Sequence, residues 1–105
     1  MADEYRVTRR DSNRRPSHPG ALLRETVVPA TKRSKSEIAA LLGMSRQNLY
    51  AILEEKQSIT PEVAVKLGKL FGNGPELWWN MQAAHDLWTA RHEVDVSGIP
   101  TLEPA

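Results

Sequence analysis

The sequence predicts an all-α domain of five helices between flexible N- and C-terminal tails. Three observations predict it. Apolar residues in the middle of the chain recur at helical spacing. Ser34, Ser45 and Thr60 each stand where a helix N-cap is wanted, just ahead of such a run. Gly43 and Gly72 each follow one, where a left-handed residue closes a helix at little cost.

Helix one is expected to begin around Pro19, a residue tolerated in a first turn, to carry Leu22, Leu23 and Val27, and to stop before Pro29. Helix two opens on "SKSE". Ser34 can accept from the third amide while Glu37 reaches back to the Ser34 amide, a capping box. Its apolar positions are Ile38, Leu41 and Leu42. Helix three follows almost at once, capped by Ser45, with Leu49, Ile52 and Leu53 buried. "TP" announces helix four, whose stripe is Val63, Leu67, Leu70 and Phe71. Helix five starts near Pro75 and runs to about Arg91, with Leu77, Met81, Ala84 and Trp88 along one face. The organisation expected is a basic arm over 1–17, a helical domain over 18–92 and an irregular tail over 93–105. The alternation in "EVDVSGI" allows a short strand against a partner.

Bulk properties narrow the function. A chain of 105 residues has the length of one domain. It has no cysteine, which excludes disulfides and thiolate metal sites and fits a cytoplasmic protein. No stretch reads as a signal peptide or a membrane span. No Ser/His/Asp set and no phosphate-cradling glycine loop is evident, so the reading is not an enzyme, and no cofactor is implied. His85 and His92 could share a helix face. Two histidines without acids in a chelating pattern make a poor metal site, so the three histidines are expected at the surface or half-buried.

Net charge is only +1, but its distribution is uneven. Residues 1–18 hold Arg6, Arg9, Arg10, Arg14 and Arg15 against Asp3, Glu4 and Asp11. Residues 31–50 hold Lys32, Arg33, Lys35 and Arg46 against Glu37. From Glu76 the sign reverses, with Asp86, Glu93, Asp95 and Glu103 against Arg91. A basic front and an acidic back suggest two partners.

The short link between helices two and three forces them to cross steeply, as in a helix-turn-helix. "SKSEIAALLGMSRQNLYAIL" fits that unit position by position. Ala39 is small at the crossing, Gly43 permits the turn, and Met44, Leu49 and Ile52 lock the second helix onto the first. Ser45, Arg46, Gln47, Asn48 and Tyr50 are left facing outward at the end of helix three that enters a major groove in such units. Arg bonds guanine and Gln or Asn bonds adenine in bidentate fashion, each good pair discriminating by about 1–3 kcal/mol. The expected readers are Arg46, Gln47 and Tyr50, with Asn48 either reading or touching phosphate. Lys32, Arg33, Lys35 and Ser45 are expected to hold the backbone.

These segments carry a resemblance. "HPGALLRE", "SEIAALLGMSRQNLYAIL", "ITPEVAVKLGKLFG" and "PELWWNMQAAHDL" together resemble the HigA-type (VapI-type) antitoxins, a branch of the lambda-repressor-like helix-turn-helix proteins. The resemblance spans about His18 to Leu87. It implies a dimeric antitoxin that binds double-stranded operator DNA, represses its own operon and neutralises a RelE-like mRNA-cleaving toxin. Such a protein is cytoplasmic and nucleoid-associated when on its operator. Two other readings stay open: a stand-alone repressor without a toxin, and an interaction module that has lost DNA binding. The sequence departs from the family pattern at Ala21, where an acid is usual, at Trp79, where an aliphatic residue is usual, and at Glu54–Glu55, which replace an Asn-Gly.

That last departure removes the easy left-handed cap of helix three and puts two acids at a negative helix end. They read as an affinity cost that sharpens specificity, or as contacts for a basic toxin. Adjacent Trp78 and Trp79 lie about 100° apart on a helix, so one is expected in the core and the other partly exposed at a dimer or toxin contact. Dimerisation is expected through helix five and the tail, placing two reading helices about 34 Å apart on a palindrome. The arginine-rich arm reads equally as a minor-groove arm or as a tail that orders on toxin binding.

Overall fold

The computed structural model describes residues 14–103. Most of the expected basic arm, residues 1–13, lies outside the described residues.

Five helical runs are present and, among the described residues, no strand. Helix α1 covers residues 19–31, α2 Lys35–Leu42, α3 Arg46–Leu53, α4 Pro61–Phe71 and α5 Pro75–Glu93. α1 packs against α3 and α5, α2 against α3 and α4, and α4 against α5. The core is built from Leu23, Ile38, Leu42, Leu49, Ile52, Leu53, Ile59, Leu67 and Trp78, with the small Ala39 and Ala64 buried among them. The region "EVDVSGI" is tied by local turns instead of a strand: Ser97 N–H donates to Asp95 Oδ1 (2.9 Å) and Ile99 N–H to Val96 O (2.9 Å).

The three polar caps act as expected. Ser34 accepts from Glu37 N–H (3.1 Å), Ser45 from Asn48 N–H (3.0 Å) and Thr60 from Val63 N–H (3.2 Å). The second half of the capping box does not form. Glu37 gives its carboxylate to Arg33 at 2.6 Å, because an exposed guanidinium one turn back competes for it.

Helix one corrects the expectation at Pro29. It runs through Pro29 to Thr31 and ends on Lys32 in the left-handed region (φ 60°). A π turn over Leu23–Val27 comes first, with Val28 N–H donating to Leu23 O. Proline lacks an N–H and crowds the carbonyl one turn back; a widened turn just upstream removes much of that conflict.

Two stripes also differ. Leu41 lies 54 % exposed on α2, leaving Ile38, Ala39 and Leu42 to face inward. On α5 the buried face is Trp78, Gln82 and His85, one residue round from the expected stripe, a rotation of about 100°. Leu77 is exposed, and Met81 and Trp88 are only half-buried. The physical reason is that two polar residues found buried partners. Gln82 Oε1 accepts from Ile59 N–H (2.7 Å) and its amide donates to Asp86 (3.1 Å). His85 Nδ1 contacts Pro16 O at 2.7 Å, and since a carbonyl only accepts, Nδ1 carries the proton. A satisfied polar side chain buries at little cost, so apolarity alone misplaces the face.

His18 and His85 are therefore buried, against the surface or half-buried placement expected, while His92 is exposed and stacks on Trp88. His18 caps α1, its Nδ1 accepting from Gly20 N–H (2.9 Å), and its ring meets His85 edge-on at 5.0 Å. Gly20 is required here. A Cβ at this position would overlap the Ile52 carbonyl, where α1 crosses α3.

Candidate nucleic-acid interface

The link from α2 to α3 is Gly43, Met44 and Ser45. Gly43 takes φ 69°, and Met44 N–H closes back on Ala39 O (2.9 Å). That closure turns the chain abruptly and places Ser45 ready to cap α3. Leu49, Ile52 and Leu53 then clamp α3 to the core, each nearly inaccessible to solvent. Burying that face fixes the opposite one outward. Arg46, Gln47 and Asn48 are exposed, and Tyr50 is 40 % exposed.

The sequence-predicted residues do not all fall in one place. Lys35, at the start of α2, lies with its Nζ 5.7 Å above the Tyr50 ring, a cation–π approach that joins the two helices on one surface. Lys35, Tyr50, Leu53, Glu54 and Arg24 line a shallow groove there. Arg33 instead belongs to the side where Thr31, Ile38, Leu41, Leu70 and Phe71 gather, with its guanidinium on Glu37. Lys32 is exposed at the end of α1. The Ser45 oxygen is engaged by the Asn48 amide, so toward a phosphate its hydroxyl is a donor.

Glu54 and Glu55 both have cationic partners within the chain. Glu54 faces Lys56 at 3.3 Å and Glu55 faces Arg24 at 3.2 Å. Arg24 was not among the residues the sequence singled out. Its contacts join positions 29 and 31 residues apart, and no local pattern announces such a pair.

The helix-turn-helix family model matches residues 30–79. Antitoxin HigA-1 of Vibrio cholerae is 34 % identical over 79 % of this chain and 78 % of its own length. The chain belongs to the HigA-type antitoxin family. Among solved structures, an addiction-module antidote protein of the HigA family from Coxiella burnetii superimposes with a TM-score of 0.76 at 34 % identity, covering 86 % of this chain and all of that one. The antitoxin GraA in complex with its operator gives a TM-score of 0.78 at 31 % identity, covering 88 % and 95 %. Within this HigA-type fold, α2 and α3 are the helix-turn-helix, followed by α4 and the long α5. Among the described residues no helix is long and apolar enough to cross a membrane.

Proposed function

We propose that the protein is the DNA-binding antitoxin of a toxin–antitoxin module, repressing its own operon as a dimer and neutralising a RelE-like toxin. The observation that carries the DNA-binding part is the outward face of α3. Arg46 and Gln47 are exposed on a helix whose other face is locked in the core, and the Lys35–Tyr50 approach continues the same surface. GraA, which shares this fold, is solved on its operator, and this supports the same use of the surface here. Arg46, Gln47 and Tyr50 read bases, and Asn48 reads or bonds phosphate. Lys35, Ser45 and Lys32 hold the backbone, with Arg33 as a further phosphate contact if it leaves Glu37.

The dimer reading rests on α5. With Trp78, Gln82 and His85 turned inward, Trp79, Ala83 and Leu87 follow one another at four-residue spacing along an exposed side, with Ala90 half-buried beside them. Val94 and Val96 extend this strip and line a hollow with Leu87 and Ala90. A continuous exposed apolar strip on a small protein favours association.

Co-expression with the product of the adjacent gene tests the antitoxin reading. The expected result is a co-purifying complex and relief of growth arrest. A neighbour that neither binds nor arrests growth leaves the stand-alone repressor reading in its place.

A further inference from the structure

The reading helix ends where backbone geometry disfavours the residue present. α2 and α4 close on glycines, Gly43 and Gly72, at φ 69° and 75°. α3 closes in the same left-handed region on Glu55, at φ 64°. The closing hydrogen bonds form nonetheless: Glu55 N–H donates to Ile52 O (3.0 Å) and Lys56 N–H to Ala51 O (2.8 Å). This is the glycine-terminated motif with a glutamate in the glycine's position.

Arg24 reaches this helix end from α1. Its Nη1 donates to Leu53 O at 2.6 Å and to Glu55 Oε2 at 3.2 Å, and its Nη2 donates to Glu25 at 2.8 Å. Leu53 O belongs to the last helical turn, whose carbonyls lack intrahelical donors, and a cation there also meets the negative end of the helix. The hydrogen bonds it donates to Glu25 first, then to Glu55, hold the guanidinium pKa above its ordinary value, so it stays charged. The same side chain lines the groove shared by Lys35 and Tyr50.

We propose that Arg24 is a positioning residue for the DNA-reading helix: it stands in for the missing glycine by tying down Leu53 O and Glu55, and it cancels the Glu55 carboxylate beside the candidate DNA surface. The proposal rests on the DNA-binding reading above. It makes the dependence on Arg24 conditional on Glu55. Without Arg24, Glu55 is a bare carboxylate on a helix that approaches phosphates. With glycine at that position, neither the strain nor the charge remains.

The test is a double-mutant cycle of Arg24→Gln, Glu55→Gly and both, read by titration of the protein's own promoter fragment at about 50 and 200 mM salt. Glutamine removes the charge and, ending two bonds short of the guanidinium Nη1, also gives up the contact with Leu53 O. Arg24→Gln alone is expected to weaken operator binding about fivefold at low salt, and less at high salt, where the repulsion is screened. In the Glu55→Gly background the same change costs less than about twofold. Arg24→Lys restores most of the low-salt affinity. Equal losses in both backgrounds overturn the proposal, as does no loss in either. The same four proteins in thermal unfolding test the cap without DNA: Arg24→Gln lowers Tm more with Glu55 present than in the Glu55→Gly background, and additive shifts overturn it. If the wild type gives no specific shift, the DNA-binding reading fails, and the thermal cycle alone decides the cap.

Discussion

Gln82 on α5 accepts the amide hydrogen of Ile59 at 2.7 Å, deep between α5 and the loop leading into α4. Both residues are almost wholly buried, at 2 % and 1 % exposure. One side chain thus satisfies the backbone of the segment that follows α3, and it sets which face of α5 turns inward. Gln82→Met keeps the volume and removes the acceptor. It should cost about 1–3 kcal/mol, the penalty of a buried unpaired amide, measured by urea unfolding. A loss within about 0.5 kcal/mol, the range of an ordinary surface change, would show that the bond contributes little.

His18 predicts a dependence on pH. Burial, first, and then the neighbouring His85 lower its pKa, with Arg15 acting the same way and Glu55 and Asp86 opposing. Its Nδ1 must stay unprotonated to accept from Gly20. The unfolded chain therefore binds more protons than the folded one below the ordinary imidazole value of about 6.5. The stability His18 contributes is complete above that pH and is lost as pH falls through it toward the lowered folded value. His18→Asn should flatten the fall in Tm as pH drops below about 6.5. An unchanged profile would place the titration elsewhere.

Self-association should depend on the outward strip of α5. Leu87 is 50 % exposed at its centre. Leu87→Glu is expected to shift sedimentation-equilibrium mass toward the monomer with thermal stability nearly unchanged, since surface substitutions usually stay within about 0.5 kcal/mol. A variant that remains dimeric would move the interface off this strip.

Much of the fold was legible in the sequence, because caps and turns are local. Ser34, Ser45, Thr60, Gly43 and Gly72 mark boundaries by hydrogen bonds and dihedrals that span only a few residues. The outward face of α3 was legible for a related reason, since Leu49, Ile52 and Leu53 leave it no other direction. What was not legible depends on distant partners. The inward face of α5 is set by Ile59 N–H and Pro16 O receiving Gln82 and His85, and hydrophobic periodicity is blind to satisfied polar groups. Pro29 reads as a helix stop unless the π turn ahead of it is known. Glu55 reads as a liability until Arg24 is seen beside it.

The central claim is that the N-terminal end of α3 selects a DNA sequence. The most direct test is a titration of the protein's own promoter against a scrambled fragment, at low and moderate salt, for the wild type and for Arg46→Ala/Gln47→Ala. The wild type should prefer the promoter by about a thousandfold or more. The double variant should fall toward the scrambled-DNA affinity and keep a similar salt dependence, because base contacts are lost while phosphate contacts remain. No preference in the wild type at low salt, or an undiminished preference in the double variant, would contradict the account.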